Sequence, residues 1–514
     1  MNIIILSLWI ALSIGVYIYA SRSYAMWIVL IGGWILLPPA HYQAAGHPLI
    51  FPYWIIGSAL PSDLLITKAW VAPIIAILGS LIFDRQRWSN IRYHWTDLAV
   101  LAFCFWPLAQ SLVLKQSELS NVISCVYLIG VWGVPWLIGR LYLRDFNDAL
   151  AFASILTLAT LAMLPFMILE SVSAYRIYTD LYGAHPFAFD GMERYIGFRP
   201  QLFFEHGNQY GIWCACATAA AFWRRQESRS RERPFWSAIF YALLVITIIS
   251  QSVGAILLML SSLAMLSVPK SFKLVQTFGA LAFAACLVLG TLHVSGIVPL
   301  RSIAEKTVVG QSVVGNIRAI GRGSFVWRLG QDVKALPVIK ENLVTGSGRW
   351  DWFMAQRSRP WGLPLLLLGQ FGLIGLFCLV AALFGALYRH ISSAARGFGP
   401  SQLVTVMLLM FGVDALLNSF IFYPAILVAS AFFRRKSTIK VVPPIVREDG
   451  IHRHTGPIEN TKMNEHSLAT SLVGSSAALL SPDPLGTGVP IPLVKGKRRC
   501  RMHGGTNPGA PKDP

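Results

Sequence analysis

Apolar runs of roughly 20 residues alternate with short polar segments along most of this chain, the spacing expected of helices that cross a hydrocarbon layer. Ile3–Ala20 lacks a basic leader and a clear cleavage site, so it reads as a membrane helix rather than a removed signal. Ser21-Arg22-Ser23 turns it into Tyr24–Leu37. Basic residues recur in the short connections: Arg85, Arg87 and Arg92, then Arg140 and Arg144, then the arginine-rich Arg224–Arg233, Lys270 and Lys273, Arg389 and Arg396, and finally Arg434-Arg435-Lys436. Cytoplasmic loops are enriched in Lys and Arg. Assigning these connections to the cytoplasm puts Pro38–Leu64, Lys115–Ser120, Glu170–Glu205, Ser250–Val253 and His293–Trp361 on the outer face. The pattern predicts an all-α polytopic membrane protein with about 12–13 transmembrane helices. Ser401–Phe433 is too long for one crossing and is expected to break near Asp414–Ser419.

Four regions follow from this reading. Residues 1–292 are an N-terminal bundle, 293–361 a large external loop, 362–433 the C-terminal transmembrane helices and 434–514 a tail. Ser437–Pro514 has no apolar periodicity and many Pro, Gly and Ser residues, so a disordered cytoplasmic tail is expected. Its basic run Lys495–Arg501 suits weak attraction to anionic lipid.

Composition strengthens the membrane reading. The 514 residues are 55% hydrophobic and only 13% charged, against roughly 25% charged in an ordinary soluble protein. The net charge of +19 is spread over short connections, one long loop and the tail, which argues against nucleic acid as a partner. Cys104, Cys125, Cys214, Cys216, Cys286 and Cys378 all fall in apolar segments. Cys214-Ala-Cys216 has the wrong spacing for a redox or zinc pair. These are expected to be small lipid- or core-facing residues.

Against that apolar background, Phe198–Gly211 (FRPQLFFEHGNQYG) concentrates polar chemistry at a membrane boundary, where such groups are expensive to desolvate. Arg199 offers a bidentate fork to a phosphate or carboxylate. Glu205 and His206 are an adjacent acid and imidazole, either of which suits a general base. Asn208 and Gln209 are neutral donors and acceptors of the kind that orient sugar hydroxyls. The plainer alternative is an interfacial helix start, with Glu205 near the positive helix terminus. The long loop ends in Thr345-Gly346-Ser347-Gly348-Arg349-Trp350-Asp351-Trp352. There Gly346 and Gly348 would let backbone amides approach an anion, Arg349 adds charge and Trp350 can stack on a sugar. A turn followed by an aromatic anchor is the alternative. Arg357 and Arg359 are either phosphate ligands or loop charges.

The loop from His293 to Trp361 carries ten basic against four acidic residues, a net of about +6. Such an external loop suits an anionic partner, phosphates and acidic sugars above all. Gly369–Gly375 (GQFGLIG) is expected only to permit close helix packing. Asp414 and Asn418, one turn apart, are either functional or simply hydrogen-bonded within the bundle. Phosphate-loop, zinc-protease and nucleophile-elbow motifs are absent, as is any His/Cys metal spacing. No metal or other cofactor is therefore expected, with arginines supplying the electrostatics.

The outer-face arginine motif, the Ser250-Gln251-Ser252-Val253-Gly254 hairpin, the large loop ending in a Gly-x-Gly turn and the GQFGLIGL helix together resemble the O-antigen ligase/polymerase family. Ala59-Leu60-Pro61 followed by Leu65-Ile66-Thr67-Lys68 is similar to the opening of many members, and the likeness spans roughly residues 55–433. The resemblance implies a metal-independent glycosyltransferase of the bacterial inner membrane, with its C-terminus cytoplasmic. It also implies undecaprenyl-diphosphate-linked glycans as donors held by outer-face arginines, with membrane lipids and a chain-length regulator as further partners. Arg199 and Arg349 would bind the diphosphate, and Glu205 or His206 would deprotonate the acceptor. Trp361 and Gly362 stand where ligases carry a histidine, and Gln251 stands near the arginine of the usual Ser-Arg-Gly hairpin. Both departures favour polymerisation of O-antigen, capsule or exopolysaccharide repeats over ligase-like transfer to another acceptor. The rival classes are a flippase for the same lipid-linked glycans and a non-catalytic assembly partner.

Overall fold

The structure, a computed structural model, describes residues 2–39, 67–115, 118–183, 185, 193–268, 272–295, 297–298, 302–303, 306–319, 323–349, 352–353, 360–394, 399–419 and 423–433. Helices α1 (Asn2–Tyr19) and α2 (Arg22–Leu36) precede α3 (Lys68–Phe83), the one-turn α4 (Arg85–Trp88) and α5 (Trp95–Leu114). α6 (Glu118–Leu128) continues through a π-helical turn, Ile129–Gly133, into α7 (Val134–Tyr142). α8 (Phe146–Ala162), α9 (Leu164–Ser173) and α10 (Ile177–Tyr182) lead to a non-helical stretch carrying Arg199. Then come α11 (Gly207–Gln226), α12 (Arg233–Ile249), α13 (Val253–Ser267) and α14 (Phe272–Val294). α15 (Val308–Ala319) and α16 (Gly323–Glu341) lie in the long basic segment, and α17 (Leu363–Ala394), α18 (Gly399–Ala415) and α19 (Tyr423–Ser430) follow it.

The fold is all-α. Among the described residues there is no β-strand, only an isolated bridge between Glu193 and Phe198. By length and composition, four spans among the described residues are able to cross a membrane: Trp95–Leu114, Asn121–Tyr142, Phe146–Ser173 and Leu363–Ala394. Shorter apolar helices of 10–17 residues accompany them, including α2, α3, α12, α13 and α18. The expected interruption near Asp414–Ser419 is present, since α18 stops at Ala415 and α19 starts at Tyr423.

α11 is the central helix, packed by α8, α12, α13 and α18. Its middle is built from small residues, Cys214-Ala215-Cys216-Ala217, and nearly every side chain from Gln209 to Trp223 is buried. A helix covered on all sides needs such residues, because they let neighbouring backbones approach without voids. Cys104, Cys125, Cys214 and Cys216 are buried thiols, whereas Cys286 is exposed and Cys378 half-buried.

One end of the bundle is tied by ion pairs. Arg87 donates two hydrogen bonds to Asp148, at 2.8 and 2.9 Å, and also meets Asp84 at 3.4 Å. Tyr142 OH donates to Asp84 at 3.0 Å, and Arg140 pairs with Asp97. Helix direction puts the Phe198–Gly211 stretch at the other end: α11 starts at Gly207 and reaches Trp223, whose Nε1 donates to Gly399 O at 3.1 Å, about 24 Å further along its axis. The tail from 434 onward, most of the Pro38–Leu64 loop, Trp350, Arg357 and Arg359 lie outside the described residues.

Candidate functional site

The stretch before α11 is held in place by side chains from three other elements. Gly197, at φ +60°, brings the backbone against the Ser171 carbonyl, a conformation that glycine adopts without steric cost. The Phe198 amide donates to Ser171 O at 2.8 Å. The buried Glu170 carboxylate accepts the amides of Gln201 and Leu202 at 2.8 and 2.9 Å. Gln251, in the turn between α12 and α13, donates through Nε2 to Ile196 O at 2.8 Å. Gln251 is thus a clamp on the segment leading into Arg199.

Arg199 is pressed against the first turn of α11, 3% exposed. A Cβ on Gly207 would fall 2.8 Å from Arg199 Cζ, so the guanidinium occupies the space where any other residue would carry its side chain. One turn later Gly211 does the same for the α12–α13 turn, where a Cβ would lie 3.0 Å from Ser252 Oγ. Gly207 and Gly211 are close-approach positions that the sequence pattern does not flag.

From Arg199 a directed chain of hydrogen bonds crosses to α18. Arg199 Nη2 donates to Asn208 Oδ1, which also accepts from Ser252 Oγ at 3.4 Å. Asn208 Nδ2 donates to Asn418 Oδ1 at 3.3 Å, and Asn418 Nδ2 donates to Asp414 Oδ1 at 2.7 Å. Arg328 of α16 enters the same chain, its Nη1 donating to Asn418 Oδ1 at 2.7 Å and to Leu417 O at 3.3 Å. Its guanidinium stacks on Trp361, 4.8 Å from the ring centroid. Four residues downstream, Asp332 caps the start of α17 by accepting the Trp361 amide at 2.6 Å. Arg199, Ser252 and Asn418 are buried, whereas Asn208, Arg328 and Asp414 are half-buried. The cluster therefore has a buried floor and an accessible rim.

Among the described residues, Arg328 is the arginine of the long segment that reaches Asn418; nothing in the sequence singles it out among that segment's basic residues. Asp414 and Asn418 did carry a signal, polar residues one turn apart in an apolar run. The tertiary contact joins them to Asn208.

Glu205 and Gln209 clasp each other. The Glu205 amide donates to Gln209 Oε1 and Gln209 Nε2 donates to Glu205 Oε1, both at 3.1 Å. Beside them Lys68 is 1% exposed, its ammonium 2.6 Å from Phe203 O and 4.7 and 4.5 Å from the Trp34 and Phe204 rings. Gln201 Nε2 donates to Glu205 O at 2.7 Å, and a His185 ring nitrogen lies 2.9 Å from Phe204 O. His206 is the N-cap of α11; its Nδ1 accepts the Asn208 amide at 3.0 Å, the ordinary way to satisfy a helix's first donors.

The expected anion cradle at Gly346 and Gly348 takes a different form. Both glycines have positive φ, +79° and +65°, but their amides face the protein: Gly346 N donates to Asn342 O at 2.7 Å and Gly348 N to Gln370 O at 3.1 Å. They serve a break in α17, where Gly372 (φ +67°, ψ −171°) interrupts the helix. Around the break Ser347 N donates to Gly369 O, Leu373 N to Leu343 O, Trp106 Nε1 to Phe371 O and Gln110 Nε2 to both Thr345 O and Gln370 O. Non-helical backbone inside an apolar bundle has to be satisfied by the protein itself, and this turn supplies the partners. Gly369–Gly375 thus does more than permit close packing. Arg349 follows on an exposed turn, its amide donating to Ser347 Oγ at 3.1 Å.

Among the described residues no group of three or more His, Cys, Asp or Glu side chains is arranged to hold a metal ion. No family model, curated protein sequence or solved structure matches this chain.

Proposed function

We propose that this protein is a membrane glycosyltransferase of the polymerase type. It joins undecaprenyl-diphosphate-linked oligosaccharide repeats into O-antigen, capsule or exopolysaccharide at the periplasmic face of a bacterial inner membrane, with its C-terminus cytoplasmic. One observation carries the reading: Arg199 and Arg328, far apart in sequence, converge on a single pair of amides, Asn208 and Asn418. Hydrogen bonds to amide oxygens fix a guanidinium without cancelling its charge, which suits recognition of an incoming diphosphate. In the reaction the acceptor hydroxyl attacks the anomeric carbon and the bond from that carbon to the diphosphate oxygen breaks. The diphosphate leaves with its charge stabilised by Arg199 and Arg328. Asp414, tied to the same amides through Asn418, takes the hydroxyl proton. Glu205, clasped by Gln209, and His206, capping α11 under Asn208, hold the site in shape.

The test is polysaccharide gel analysis of cells lacking the protein and complemented at matched protein levels. Arg199→Ala and Arg328→Ala are each expected to cut polymer yield about a hundredfold, the usual cost of one preorganised electrostatic donor. Unchanged polymer length and yield in both variants would sink the proposal.

A flippase for the same lipid-linked glycans is the second reading, favoured by the broken helix α17, since interrupted helices are common at transport sites. The hydrogen bonds closing that break from within weigh against it. Loss of a polymerase leaves single lipid-linked units outside, whereas loss of a flippase strands them inside.

A further inference from the structure

The ion-paired end of the bundle contains a pair of arginines that the proposed reaction does not use. Arg140, on α7, is 3% exposed and donates through Nε to Asp97 Oδ1 at 3.1 Å, with a second, shorter contact through Nη2. Asp97 is fully occupied, because Oδ1 also accepts Trp136 Nε1 at 2.7 Å and Oδ2 accepts the His94 amide at 2.7 Å. Arg389, on α17, has no carboxylate within ion-pair distance among the described residues. Its Nη2 donates to the carbonyls of Ala429 and Ala431 at 3.0 and 2.8 Å, at the C-terminal end of α19.

Three strong donors remain. Arg389 Nε, Arg389 Nη1 and Arg140 Nη1 are all buried without a hydrogen-bond partner among the described residues. The two guanidiniums share one aromatic neighbour, each Cζ lying 5.4 Å from the Phe432 ring centroid. They are close enough to repel one another, and the buried His390 lies within the field of both. Buried guanidinium N–H groups facing no acceptor, beside a like charge, are strongly unfavourable in a low-dielectric interior. A Phe432 ring face relieves part of this through cation–π attraction, but it accepts no N–H along the guanidinium plane.

We propose that Arg140 and Arg389 form an anion site for a phosphate group, seated against Phe432 at the bundle end opposite the Arg199 cluster. A tetrahedral oxyanion presents several acceptor oxygens at once, which suits three unpartnered donors on two planar forks beside one ring. It also supplies the direct ion-pair partner that Asp97, hydrogen-bonded to Arg140, does not give to Arg389. The phosphate belongs either to a lipid headgroup or to a free ion.

Full-length protein carrying Arg199→Ala and Arg328→Ala, which removes the other phosphate-seeking cluster from the readout, is melted in a phosphate-free maltoside detergent. Inorganic phosphate is titrated in one arm and phosphatidic acid in another. A rise in midpoint of about 2–4 °C is expected. A response to both probes assigns a free phosphate, and a response to phosphatidic acid alone assigns a lipid headgroup. Arg389→Met is expected to abolish the response, Arg389→Lys to weaken it by loss of the fork, and exposed Arg231→Met to leave it intact. The proposal is overturned by no shift with either probe, or by a shift that persists in both Arg389 variants. If Arg389→Met does not accumulate, the lysine variant decides.

Discussion

The two ends of this bundle use arginine in opposite ways. At the end formed by α4, α7 and α8, Arg87 binds Asp148 through two hydrogen bonds while Asp84 sits between Arg87 and Arg22. Around Asp84 and Asp148 charge is cancelled, and the result fastens helices together. At the other end the guanidiniums of Arg199 and Arg328 reach Asn208 and Asn418, and these amides link them to one carboxylate, Asp414, three contacts from Arg199 and two from Arg328. An ion pair joins two charges directly; an amide contact orients a guanidinium through a neutral partner. The difference separates the two polar clusters more sharply than charge counts do, because both ends are rich in arginine.

The largest effect that would test this contrast is on stability. Asp148→Ala leaves Arg87 without its bidentate partner, and a loss of about 3 kcal/mol is expected, read as a fall in thermal midpoint and in the amount of folded protein. Arg199→Ala should leave the midpoint much nearer wild type while polymer yield falls about a hundredfold. Combined with Arg328→Ala it should cost far less than the product of the single losses, because residues that act as one unit are not additive. If Arg199→Ala proves as destabilising as Asp148→Ala, the two ends do not differ in kind.

Smaller effects sharpen the geometry. Gly207→Ala places a methyl where the Arg199 guanidinium lies, and the displaced fork should cost about tenfold in polymer yield. The same substitution in an Arg199→Ala background should cost nothing further. Smallest of all, Gln251→Ala removes the clamp on Ile196 O and should lower yield by only about threefold to fivefold, the worth of a single neutral hydrogen bond.

Much of the fold was legible in the sequence for a simple reason. Apolar length and the positions of Arg and Lys are local properties, so the all-α class and the interruption before α19 follow from residues close together in the chain. Glycine chemistry was only half legible. Positive φ at Gly346 and Gly348 agrees with their turn, yet their amides serve the break in α17 rather than an anion. Spacing reveals that a backbone can bend and not which carbonyl it bends toward.

The sequence by itself determined that this chain forms apolar helices, that Phe198–Gly211 gathers arginine, acid and amides, and that Asp414 and Asn418 share a helical turn. Those are consequences of neighbours in the chain and of the cost of burying polar groups. Tertiary structure alone decided that Asn208 meets Asn418, that Arg328 is the arginine that joins them, and that Gly207 makes room for Arg199. The physical reason is that hydrogen bonds are selected by distance and direction in space. Residues 199, 208, 328 and 418 form one hydrogen-bonded chain only once α11, α16 and the turn after α18 come together.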